Sequence, residues 1–220
     1  MHANGRMNTM LTILLNMHGI GTTVGFEKFK EFETALAEYT GAPHVVLTDC
    51  CTHAIELCLR LKSIDTATLP YRSYLSIPMT LHKLGIEYHL DTEVEWEYEY
   101  RIGLTTTWDS ARAFDRQMHK ANQMQCLSFG HTKRLEIGHG GAILLTNKQD
   151  ADVLRLMAYD GRDLSISPWQ DQKVFRVGYH YKPSIEDCEK GLYMLANNKL
   201  KTKESQLVKY PDLTEIEIVD

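Results

Sequence analysis

Apolar residues recur along the chain in two alternating rhythms. Phe26, Phe29, Phe32, Leu36 and Tyr39 fall three or four apart and predict an amphipathic helix. Gly41 and Pro43 end it. Residues 44–48 form a short, continuous apolar run, the pattern of a buried strand. A polar turn, Asp49-Cys50-Cys51, leads to a second helix that Thr52 opens and that runs through Ala54, Ile55, Cys58, Leu59 and Leu61. The alternation continues with strands over 66–69 and 86–90 around a helix over 75–84, which keeps Pro78 near its start. Strands follow over 102–108, 126–129 and 141–146, then helices over 150–159 and 184–197. Residues 1–25 read as a polar, irregular lead-in, and the acidic, aromatic stretch 93–100 fits neither rhythm. Strand, loop and helix in this order predict an α/β fold, a mostly parallel sheet flanked by helices, with its chemistry in the polar loops after the strands.

Length and charge narrow the class. A chain of 220 residues can bury one sizeable core. Lys and Arg total 24 against 29 Asp and Glu, a net charge of −5, so no basic face is expected for nucleic acid. No run of about 18 apolar residues occurs, so no membrane span or membrane partner is expected. The apolar stretch 10–15 lacks the flanks of a signal peptide. Five cysteines, with no C-x-x-C pair, fit reduced thiols and a cytoplasmic setting. Cys51 and His53 lie close together without a second ligand pair at finger spacing, so no metal is expected.

Four loops carry candidate chemistry. Asp49-Cys50-Cys51-Thr52-His53-Ala54 joins a strand to a helix start, where free N–H groups and the helix dipole favour an anion. Thr52 there either caps its helix or adds a bond to a phosphate. Tyr74, just past a strand end, either stacks on a planar ligand or packs on the core. Asp109 ends an apolar strand, and a carboxylate at that edge calls for a cationic partner. Ser128 ends another strand. Lys133 follows in a loop with His131 and Arg134, whose charge would lower a lysine pKa and make it nucleophilic.

Taken in order, these loops resemble the DegT/DnrJ/EryC1/StrS family of sugar aminotransferases, fold-type-I enzymes that use pyridoxal 5′-phosphate (PLP). The resemblance begins at Phe26-Glu27 and passes through Cys51-Thr52-His53-Ala54, the Pro70–Tyr74 turn and Asp109-Ser110-Ala111. Ser128-Phe129 with Lys133 keeps the family's Ser-Phe-x-x-x-Lys spacing, and Gly140-Gly141-Ala142-Ile143 its following strand. Gly178-Tyr179-His180-Tyr181-Lys182 with Gly191-Leu192 resembles the family's later Gly-Tyr-x-Tyr segment and helix, so that roughly residues 20–198 are covered.

The resemblance implies a set of roles. Lys133 carries PLP covalently and moves the proton during transamination. Asp109 pairs with the pyridine nitrogen and keeps the ring an electron sink. Cys51, Thr52 and Ser128 hold the phosphate, Tyr74 stacks on the ring, and Arg112 lies beside the ring oxygen, where the family has Gln or His. His180, with Lys182, reaches the phosphate of the partner in a homodimer with shared active sites. The implied reaction moves an amino group from an amino acid, glutamate first, to a keto-sugar, free or nucleotide-linked. The alternative is a catalytically degenerate PLP-binding protein with a sensory or scaffolding role. The implied fold is the large domain of an aspartate aminotransferase-like, fold-type-I transferase, with a lead-in over 1–25, a PLP-binding α/β domain over 26–170, and 171–220 as a helical remnant of a small domain otherwise missing. Cys51 replaces the family's flexible Gly, and the family's extra helix and strand between Asp91 and Ile102 have no counterpart.

Overall fold

A computed structural model describes residues 23–202 and 210–219. Helix α1 (Thr23–Thr40) ends where Gly41, at φ +76°, donates its N–H to Ala37 O at 2.9 Å. Strand β1 (His44–Thr48) leads into α2 (Cys51–Lys62), β2 (Thr66–Pro70), α3 (Ser76–Leu84) and β3 (Glu87–Asp91). Pro78 sits in the first turn of α3, where the missing N–H costs nothing. Then come β4 (Tyr100–Arg101), β5 (Thr107–Asp109), β6 (Met124–Ser128), β7 (Gly141–Leu145), α4 (Lys148–Ala158) and α5 (Ile185–Ala196). A reciprocal Ser184–Asp187 capping box starts α5. The lead-in 1–25 lies almost wholly outside the described residues.

The α/β class stands, but the sheet differs from expectation in two ways. Strands β1-β7-β6-β5-β4 form one sheet in that order, and β2-β3 form a separate parallel pair. Only β5–β6 is a parallel pairing in the larger sheet; β1–β7, β6–β7 and β4–β5 are antiparallel. The cause is β7, which follows β6 through a loop with no helix to carry the chain back, so it returns reversed. It lies between β1 and β6, which therefore share one direction with β5. The expected strand 102–108 is also broken. Gly103, at φ +54°, turns the chain, and Ile102 N–H bonds Thr107 O at 2.9 Å, leaving two short antiparallel strands. Gly103 N–H also donates to Thr68 O at 2.7 Å, linking the two sheets.

Alternate residues of the central strands pack on opposite faces. Val46, Cys126, Ile143 and Leu145 join Ala54, Ile55, Cys58 and Leu59 of α2. Val45, Leu47, Leu127 and Leu144 join Phe29, Phe32 and Leu36 of α1. Burial on both faces is why these strands read as unbroken apolar runs. Helix α5 lies so close to α1 that a Cβ on Gly191 would sit 2.3 Å from Phe32 Cζ.

Candidate active site

Because β1, β5 and β6 run the same way, their C-terminal ends open on one edge. The start of α2, Asp109 and Ser128 stand there, and the β6–β7 loop brings Lys133 to them. That loop is closed at its base by Phe129 N–H to Gly140 O and Gly138 N–H to Phe129 O, both 2.9 Å.

Asp109 is 6% exposed. Tyr100 OH donates to its Oδ2 at 3.0 Å and Ala111 N–H to its Oδ1 at 3.0 Å. Among the described residues no ion pair reaches it. Burial raises its pKa, against the pull of those hydrogen bonds and of Lys133. Burial lowers the pKa of Lys133; Arg112 pushes the same way, while Cys51 and Asp109 oppose. The Cys51 thiol is held well above its ordinary value by burial and donates to Cys126 O at 3.3 Å. It is a packed, neutral group rather than a nucleophile.

The first turn of α2 is fixed from several sides. Cys50 caps it, its Sγ accepting from His53 N–H at 3.4 Å. Thr52 Oγ1 lies 2.8 Å from Ser76 Oγ, so it bonds across to α3 instead of capping its own helix. His53 Nδ1 meets Asp49 Oδ1 at 2.7 Å, chiefly for which its pKa rises to about 9. The His53 ring lies flat on Tyr181, centroids 3.6 Å apart and planes at 5°. Tyr181 O accepts from Asp49 N–H at 2.7 Å, and Tyr181 OH donates to Glu56 Oε1 at 3.3 Å. Glu56, fully buried, is also bonded by Arg60 and Lys83. Ligand atoms of Asp49, Cys50 and His53 come within 4.8 Å of one another, but His53 and Asp49 already satisfy each other.

Of the residues singled out in the sequence, Cys51, Asp109, Arg112 and Lys133 share one neighbourhood. Thr52 directly follows Cys51 and bonds Ser76, and Ser128 ends β6 opposite Gly141. Tyr74 is 60% exposed. His180 Nδ1 bonds Asp160 Oδ2 at 2.9 Å with its side chain 73% exposed. Lys182 Nζ lies 5.0 Å from the Tyr159 ring centroid. Tyr100, which holds Asp109, and His53, Tyr181 and Glu56, which brace the loop before α2 and its first turns, did not stand out as candidates. Tyr100 sits in the stretch without period. Asp49 with His53, and Glu56 with Arg60, carry the four-residue spacing that a search for paired charges would find.

Comparison with known proteins places the chain. The model of the DegT/DnrJ/EryC1/StrS aminotransferase family matches residues 8–87 and 90–196. No curated protein matches significantly. Among solved structures, the sugar aminotransferase CalS13 from Micromonospora echinospora superposes with a TM-score of 0.65 at 17% identity, over 77% of this chain and 61% of that one. PseC from Helicobacter pylori, an aminotransferase of pseudoaminic acid biosynthesis, gives 0.62 at 14%, over 78% and 58%. NtdA from Bacillus subtilis, solved with pyridoxamine phosphate bound, gives 0.61 at 18%, over 76% and 47%. The chain thus spans about half to three fifths of the length of these relatives. Its donor set fits the family's cofactor. Asp109 is a buried carboxylate with no ion-pair partner among the described residues, suited to a protonated pyridine, and Lys133 is an amine that burial biases toward the neutral form. A helix start with hydroxyls beside it suits a phosphate. With the sequence model, the superposed fold and this donor set in agreement, the chain belongs to the DegT/DnrJ/EryC1/StrS aminotransferase family.

Proposed function

We propose that the chain is a PLP-dependent aminotransferase that moves an amino group from an amino acid, glutamate first, to a keto-sugar. The donor leaves as its 2-oxo acid, and the acceptor's carbonyl carbon gains the amino group and a hydrogen. The observation that carries this reading is the nearness of a half-buried Lys133, its pKa lowered by burial, to a buried Asp109 whose carboxylate Tyr100 OH and Ala111 N–H hold in place. When bound, PLP supplies an electron sink for the bond broken at the donor's Cα. Lys133 Nζ would hold the cofactor covalently and would serve as the base that moves the proton. Asp109, its carboxylate fixed by Tyr100 OH and Ala111 N–H, would pair with the ring nitrogen. The first turn of α2, Thr52 and Ser128 would hold the phosphate, and Arg112 would lie toward the ring oxygen.

The working unit in this proposal is a homodimer. Segment 178–182 is tied to its own subunit through Tyr181, while His180 points outward, available to a partner's phosphate. The test of the activity is spectroscopic. Purified protein loaded with PLP and given glutamate should convert the cofactor to pyridoxamine phosphate and release 2-oxoglutarate. Uptake without conversion by any amino donor would assign the degenerate binding role instead, and no uptake at all would remove both readings.

A further inference from the structure

Residues 210–215 lie far along the chain from the cleft and beyond the segment that matches the family, which ends at 196. They are nevertheless fastened to it. Leu213 N–H donates to Tyr71 O at 2.9 Å, and Asp212 bridges Arg72 in antiparallel fashion. The Leu213 side chain is 5% exposed. The Tyr210 ring stacks on Trp96, centroids 5.2 Å apart and planes at 28°. Trp96 Nε1 donates to Arg72 O at 2.8 Å, and its ring lies 4.7 Å from that of Tyr100, the residue whose hydroxyl holds Asp109. The Arg112 guanidinium donates to the Tyr210 phenol oxygen. An unbroken line of contacts therefore runs from the C-terminal segment to both Asp109 and Arg112.

We propose that residues 210–215 form a wall of the cofactor cleft in cis, with Tyr210 as a positioning residue that orients Arg112 directly and Asp109 through Trp96 and Tyr100. The inference rests on reading the cleft as a PLP site. Covering that side keeps water from the Asp109 carboxylate and strengthens its hold on a cationic ring. Fixing Arg112 sets the charge felt by Lys133, whose pKa Arg112 helps to lower. If the segment favours bound cofactor, linkage requires that bound cofactor favour the docked segment by the same factor.

Amide hydrogen exchange on the wild-type chain, with and without PLP, reads that reciprocity. Exchange over 210–219 should slow by about tenfold on loading, with the Leu213 amide among the slowed sites. Leu213→Asp should unseat the segment and weaken PLP binding by about tenfold or more, with the cofactor still trapped by borohydride on the Lys133 peptide. Tyr210→Phe keeps the stack on Trp96 but removes the phenol's hydrogen bond with Arg112. It should shift the pH midpoint of cofactor attachment upward by about half a unit, an effect that loss of packing alone would not give. If Leu213→Asp fails to fold, the exchange and Tyr210→Phe measurements still decide. Unchanged exchange and an unmoved midpoint, with PLP attached at Lys133, overturn the wall and leave the cofactor site standing. A wild-type chain that takes up no PLP overturns both.

Discussion

Burial pushes two neighbouring groups toward their neutral forms, and each can be titrated. The Lys133 ammonium is disfavoured, so the free amine that attacks an aldehyde grows as pH rises, with a midpoint below the ordinary lysine value of about 10.4. Borohydride-trapped PLP on the Lys133 peptide should therefore reach its midpoint below that value, whereas a profile centred on it would contradict the burial. Asp109→Asn keeps the shape and removes the charge. It should leave the fold intact and lower turnover on the order of 100-fold; wild-type turnover would make Asp109 an ordinary strand-end residue. His53 works in the opposite sense. Its folded pKa of about 9 exceeds the unfolded value of about 6.5, so its stabilising pair with Asp49 is fully present below about 6.5 and is lost as pH rises through about 9. His53→Gln should lower the urea midpoint more at pH 6 than at pH 10, and equal losses would show that the pair does not hold the loop.

Elements carry the site through a few close approaches. A Cβ on Gly141, at the start of β7, would fall 2.6 Å from Cys50 C and 2.7 Å from Cys51 N. Gly141→Ala must push the start of α2 away from β7. We expect a loss of about 1–3 kcal/mol in chemical denaturation, together with weaker PLP uptake; unchanged values of both would mean that the loop moves freely. Most of this scaffold was legible in the apolar rhythm. The helices fall within about three residues of expectation, because each has one apolar stripe bounded by a cap or a glycine. The direction of β7 was not legible, since an apolar run has no polarity along the chain. The break at Gly103 was hidden by apolar and β-branched neighbours that suit a strand. In the candidate site, loop position and spacing singled out Asp109 and Lys133, which the structure brings near one another. Tyr100 and Trp96 could not be singled out in this way, because their stretch has no period and they are placed only by tertiary contact.

At the scale of the whole molecule, one subunit exposes a residue that its own cleft does not use. If His180 serves the neighbour, mixing Lys133→Ala protein with a His180→Ala, Lys182→Ala protein should restore activity, because mixed dimers then hold one site without either lesion. Full activity in a species that light scattering shows to be monomeric would refute the sharing. The strand order has a further consequence, for synthesis. In its sheet β1 touches only β7, whose residues are added about a hundred positions later. As residue 48 leaves the ribosome, β1 has no strand to pair with until residue 145 has followed, and Asp49 waits longer still for Tyr181. Closing so distant a pair delays folding. A nascent chain halted before β7 should therefore be unable to retain the cofactor, and the grip on PLP should arise only once residue 145 has been added.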